Sequence, residues 1–200
     1  MIHLTKNENS EQNASNQESK ILLVSLMLDI NNQIIAVSDS WDCNAKIGHA
    51  KASVYARNIL GKNLQDYISS DETVMYIDTA LKLTRLTDKI HYKPYRCDSP
   101  THKRFMEMEI TPLANGELSI NHFLLFEEPF SKPLFLQDVS QQSVRPISYL
   151  MRCSLCNDLK DPVTDEWLMA EKFDAQESAP ISVIHTVCPS CKEKRWSTRT

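Results

Sequence analysis

Two Cys-x-x-Cys pairs constrain this chain more than any other feature. Cys153-Ser-Leu-Cys156 and Cys188-Pro-Ser-Cys191 are separated by 31 residues. Each short loop can turn back so that its two sulfurs lie on one side, where backbone amides can donate to them. Two such loops close a tetrahedron about a single ion, with Zn–S distances of about 2.3 Å. Four thiolates fill every position of that tetrahedron, so the expected site is structural and not hydrolytic. A segment of roughly 40 residues has too little core to fold alone, and metal binding supplies the missing stability. The gap is longer than the roughly 15–20 residues of the commonest two-pair spacing. It suits a zinc ribbon or a treble-clef-like module that encloses a small hairpin or helix. The same four ligands would also hold an iron–sulfur cluster, or oxidise to disulfides in a redox switch. His185 lies three residues before Cys188. It is a candidate to support the site from behind or to replace a displaced cysteine; the alternative is a histidine exposed beside a turn.

The remaining cysteines and the charge balance set the context. The expected compartment is the cytosol, because residues 1–19 hold no apolar run that could act as a signal peptide and no stretch approaches a membrane span. There the six cysteines are thiols or metal ligands and not structural disulfides. A net charge of −4 argues against a chain whose main task is coating nucleic acid, which leaves a basic footprint. No thioredoxin-like βαβ unit accompanies the cysteines, which argues against a thiol oxidoreductase. No serine, Cys/His or paired-carboxylate catalytic arrangement is recognisable, so the expectation is a protein that is not an enzyme.

Five segments follow from composition and periodicity. Residues 1–19 are rich in Asn, Glu, Gln and Ser and read as a mobile tail. From Ile21, the run ILLVSLMLDI reads as a buried strand, Asn31-Asn32 as a tight turn, and QIIAVS as a second strand. Residues 41–68 read as short helices with a turn near Gly61. Ser69 followed by Glu72 is a capping-box signal for a helix through Val74, Ile77 and Leu81 that ends near Thr87. Three strand-like runs follow: KIHYKPYRC, KRFMEMEITPL and ELSINHFLLFEE. In the second, Met106, Met108 and Ile110 alternate with Glu107 and Glu109, and Ala114-Asn115-Gly116 turns into the third. Consecutive hairpins make the sheet antiparallel and the class α+β. The domains expected are therefore a tail over 1–19, an α+β domain over 20–128, a linker over 129–149 in which FLQDVSQQ suggests a short helix, a four-cysteine module over 150–192, and a solvated basic tail over 193–200.

The order of elements over 20–128 resembles the PAS sensor fold, a five-stranded antiparallel sheet with helices over one face. LDINNQIIAVSDSWD is similar to the opening hairpin and first helix of bacterial PAS domains, with a Trp at the Trp41 position that reads as a core anchor in preference to a ligand platform. PYRCDSPTHKRFMEMEITPL is similar to a bacterial PAS-like subgroup in which Tyr-Arg-Cys-Asp-Ser-Pro precedes an Arg-bearing strand. The resemblance implies sensing of a small ligand, cofactor, redox state or light, and signalling through homodimer or partner contacts. What is sensed does not follow from a fold. The cysteine motif of flavin photoreceptors is absent. His91, His102 and His122 are haem ligands on paper only, since a lone strand histidine is more often hydrogen-bonded structure. Arg96, Asp98 and Arg104 offer two readings: a carboxylate- or partner-recognition cluster built on the Arg fork, or a capped turn at Asp98-Ser99-Pro100. Cys97 reads as a small apolar residue or a redox thiol.

The second half carries its own resemblance. Cys153, Ser154, Cys156, Trp167, Glu171, His185, Cys188, Pro189 and Cys191 are similar to a short module at the ends of bacterial signalling and receiver-domain proteins. That family usually shows Ser-His-Gly before the third cysteine, where this chain has Ile184-His185-Thr186. The two resemblances together imply a bacterial cytosolic signalling protein, a PAS-like sensor joined to a module holding one structural zinc ion. Its implied partners are a second copy of the chain, through the PAS-like domain, and a protein of the signalling pathway. The alternatives are a zinc-dependent nucleic-acid-binding transcriptional regulator and a redox sensor using the four cysteines.

Overall fold

The computed structural model describes residues 20–48, 50–140, 142, 146, 148–173, 180–194 and 196–198. The tail expected over 1–19 lies outside them. The chain opens with β1 (Ile21–Leu28) and β2 (Ile34–Val37). Their turn forms because Asp29 Oδ1 accepts from the backbone N–H groups of Asn31 and Gln33, at 2.9 and 2.8 Å, while Asn32 adopts a left-handed φ of 61°. Short helices α1 (Trp41–Ile47) and α2 (Ala56–Ile59) follow. Helix α3 (Asp71–Thr87) buries Thr73, Ile77, Ala80, Leu81 and Thr84, one stripe at helical spacing. Its N-cap is Ser70, one residue beyond the expected Ser69. Ser70 Oγ accepts from the Thr73 N–H at 3.3 Å, and the Ser69 hydroxyl instead donates to Asp138.

Strands β3 (His91–Arg96), β4 (His102–Pro112) and β5 (Leu118–Pro129) complete the first sheet. Its order is β2-β1-β5-β4-β3 with every neighbouring pair antiparallel, a PAS-like topology. Alternation in β4 places Met106 and Ile110 in the buried interior. The opposite face of the same strand is not left to water: Lys20 Nζ lies 3.0 Å from Glu107 and 3.6 Å from Glu109. The core gathers Leu28, Ile34, Leu81, Ile110 and Leu118 between the sheet and α3.

A second five-stranded sheet is built by the rest of the chain. Its strands are β6 (Leu136–Asp138), β7 (Leu150–Cys153), β8 (Leu159–Lys160), β9 (Trp167–Leu168) and β10 (Ile181–Thr186). The order is β6-β10-β7-β8-β9, with β10 parallel to both β6 and β7. Residues 136–138, for which the sequence suggests a helix, are therefore a strand, and Phe130 and Leu134 pack with Leu159, Ala170 and Val183. Residues 196–198 are not simply solvated: Ser197 exchanges backbone hydrogen bonds with Tyr92 at 2.7 and 3.1 Å, and Trp196 packs on the Tyr76 ring. The last helix, α4 (Pro189–Glu193), carries the final cysteine. No helix among the described residues is long and apolar enough to cross a membrane.

Candidate metal centre

The parallel pairing of β7 and β10 explains how two distant Cys-x-x-Cys pairs meet. Thr186 at the end of β10 lies in register with Cys153 at the end of β7, so both pairs lie at the same end of these parallel strands. In the first pair the chain reverses immediately: Asn157 takes a left-handed φ of 63° and its N–H donates to the Cys153 carbonyl. In the second, Cys188 caps α4 and Pro189 occupies the first helical position, where no N–H is needed. Cys191 sits on that helix one turn later.

The four sulfurs all lie within 4.8 Å of one another, and three of the four cysteines are buried. A tetrahedron of Zn–S bonds near 2.3 Å has sulfur–sulfur edges of about 3.8 Å, and Cys156 Sγ lies 3.8 Å from Cys188 Sγ. Backbone N–H groups of Leu155 and Cys188 both point at Cys153 Sγ, at 3.4 Å. The cluster is thus compatible in geometry, burial and donor chemistry with a structural metal ion. Hydrogen bonds from Cys156 and Cys191, helped by backbone donors, pull the Cys153 thiol pKa far down. Sharing with Cys153 pushes Cys156 up, and Cys191 up to about 12. Metal binding at this cluster would displace the protons that remain on the sulfurs.

Two residues that spacing did not single out stand beside the sulfurs. Lys93 is buried in β3, donates to the Lys194 carbonyl at 2.5 Å and lies over the Tyr76 ring. Burial lowers its pKa, and the facing Cys191 and Cys153 oppose that shift. A tetrathiolate metal centre here would carry excess negative charge, which this buried ammonium would offset. Tyr76, whose hydroxyl has no hydrogen-bond partner among the described residues, has its pKa raised by burial and by the same two sulfurs. Nothing in the local pattern KIHYKPYRC distinguishes a buried strand lysine from a solvated one. We predict that Lys93→Met weakens metal binding by roughly tenfold, measured by competition with a chromogenic chelator, while leaving one metal per chain at saturation.

The other expected site residues fall around the cluster. His185 is not one of the clustered ligands; its Nδ1 lies 3.5 Å from Ser154 Oγ and its Nε2 3.9 Å from Asp138. Burial, then Arg152, lowers its pKa. Arg96 and Asp98 form a two-point ion pair, Nε–Oδ1 3.1 Å and Nη2–Oδ2 2.6 Å. Arg104 joins them only through its backbone N–H, which donates to Asp98 Oδ1. Its guanidinium turns to Glu127, 3.0 Å away. Cys97 is solvent-accessible yet crowded by protein, as befits a side chain on a concave wall, and burial pushes its thiol pKa up. Trp41 packs against the core and donates from Nε1 to the Val54 carbonyl.

The first cysteine pair is tied directly to the PAS-like half. The Arg96 N–H at the end of β3 donates to the Leu155 carbonyl at 2.7 Å, and the hydroxyls of Thr73 on α3 and Ser154 lie 2.8 Å apart. Further in, His122 Nδ1 lies 2.8 Å from the Tyr95 hydroxyl, and burial pushes the His122 pKa down from 6.5 to about 4. The folded imidazole resists protonation more than the unfolded one. Its contribution is therefore fully present above about pH 6.5 and is lost as pH falls towards about 4, at up to about 1.4 kcal/mol per pH unit. His122→Gln keeps a partner for Tyr95 and is predicted to flatten that acid limb, read from urea unfolding at pH 7 and pH 5.

No protein-family model matches the chain, and a search of curated proteins finds no relative. The functional reading therefore rests on this geometry.

Proposed function

We propose that the chain is a non-catalytic signalling protein in which a PAS-like sensor domain is coupled to an interaction module held by one structural zinc ion. The observation that carries the proposal is the contact between the halves. Leu155, inside the first cysteine pair, accepts a backbone hydrogen bond from Arg96 of β3, so metal binding fixes the loop that touches the sensor sheet. Four cysteine ligands close the coordination sphere, which suits a structural ion and leaves no open position for substrate. In this reading the metal clamps the module, the PAS-like domain receives the signal, and the output is a changed contact with a second copy or with a partner protein. The resemblance to bacterial signalling modules supports the cytosolic setting.

The test is amide hydrogen exchange with and without a chelator. Removal of the metal is expected to accelerate exchange at Arg96 and throughout 150–157 and 186–194, with β1, β4 and β5 protected. Unchanged exchange at Arg96 would contradict the coupling. A redox reading is favoured by one feature, the 3.8 Å approach of Cys156 and Cys188 sulfurs around a low-pKa Cys153. It expects mild peroxide to release the metal and form disulfides at concentrations that leave Cys43 and Cys97 unmodified.

A further inference from the structure

A cavity of about 400 Å³ lies between the first sheet, the start of α3 and the first cysteine pair, a size ordinary for small-molecule sites. The two halves line it differently. From the PAS-like half come Leu26, Ile77, Met108 and Ile120, an apolar wall. From the module come Arg152, Asn157 and His185, which bring polar groups to the other side.

The charges in this lining do not cancel. Arg96 is neutralised by its two-point pair with Asp98. His122 and His185 are held towards neutrality by burial. Arg152 remains. Among the described residues its Nε is buried without a hydrogen-bond partner, and the acids that act on it electrostatically are Asp98 and Asp138. Both are engaged elsewhere, Asp98 with Arg96, and Asp138 with Ser69 and Ser140. Asn157, 5% exposed, likewise has an Nδ2 with no partner. Buried donors are costly when unpaired, so a guanidinium and an amide left in this state beside an apolar cavity point to a missing acceptor.

We propose that the cavity binds a small amphipathic monoanion, a carboxylate on an apolar body, with Arg152 as the partner of the carboxylate and Asn157 as an additional donor. A carboxylate matches the Arg fork and supplies a charge-assisted contact. The inference rests on the proposed coupling of module and sensor: Arg152 and Asn157 immediately flank Cys153 and Cys156, so the metal-held loop positions both. Ligand binding and metal loading are then linked, each favouring the other.

The test is calorimetric titration of the full zinc-loaded chain with octanoate, octanol and octylamine, with metal content measured on the same sample. Octanoate is expected to bind one per chain and at least tenfold more tightly than either neutral or cationic analogue. Arg152→Gln is expected to weaken octanoate by about 10–100-fold and to leave octanol unchanged. Because Arg152 adjoins a cysteine ligand, Met108→Trp serves as a second variant: it fills the apolar wall away from the sulfurs and is expected to weaken all three probes. No saturable octanoate binding, equal affinity for octanol, or an Arg152→Gln variant that binds octanoate as tightly as the parent overturns the inference. A chain that holds metal but not octanoate sinks this inference alone. One that binds octanoate through Arg152 without taking up metal sinks the metal reading and leaves the cavity site standing.

Discussion

Cys153→Ala is expected to abolish stoichiometric metal binding and to unfold the region around 150–194. Cys153 is fully buried, and its sulfur is the acceptor for the N–H groups of both Leu155 and Cys188. The substitution removes a ligand and leaves two buried donors without acceptors, at about 1–3 kcal/mol each. The larger loss would be that of the proposed ion. Structural zinc contributes about 10–16 kcal/mol of folding free energy in small zinc modules, and the local core around Leu159 and Val183 is small. Limited proteolysis is the direct readout. New cleavage sites are expected between 150 and 194, with the fragment spanning the first sheet surviving. If the variant resists protease as the parent does, the metal is not what holds this region.

Leu28→Ala is expected to act on the other half. Leu28 is wholly buried at the end of β1 and packs in the cluster with Ile34, Ile110 and Leu118. Large-to-small substitutions at such sites cost about 2–5 kcal/mol, or roughly 5–15 °C in Tm for a chain of this size. Leu86, 84% exposed on α3, is the matched control, and Leu86→Ala should shift stability by no more than about 0.5 kcal/mol. Leu28→Ala should leave the metal stoichiometry at one per chain, because the buried cluster that holds Leu28 contains none of the four cysteines and meets theirs only through the half-buried Tyr76. A loss of metal equal to that of Cys153→Ala would mean that the two cores fold as a single unit.

Features set by local chemistry were readable in advance. The alternation of Met106, Met108 and Ile110 marked β4, the Asn31-Asn32 and Ala114-Asn115-Gly116 turns marked their hairpins, and the two cysteine pairs marked the cluster. Features set by non-local pairing were not. Strands β8 and β9 are two residues long, too short to carry a period. The pairing of β6 with β10 joins segments more than 40 residues apart, so Leu136–Asp138 looked like part of a connector. The capping hydroxyl moved from Ser69 to Ser70 because Ser69 has a tertiary partner in Asp138. Lys93 and Arg152 carry no local signal for the same reason: a strand lysine and a strand arginine look solvated until another part of the chain closes over them.

The central claim is that one zinc ion, bound by Cys153, Cys156, Cys188 and Cys191, clamps the module against the PAS-like sheet. It is tested most directly by elemental analysis and an absorption spectrum of the freshly purified protein, with thiol titration before and after chelation. The account predicts one zinc per chain, no visible absorption band, and four additional reactive thiols once the metal is removed. A metal-free protein whose four cysteines titrate freely in the presence of added zinc, or a brown protein containing iron, would contradict it.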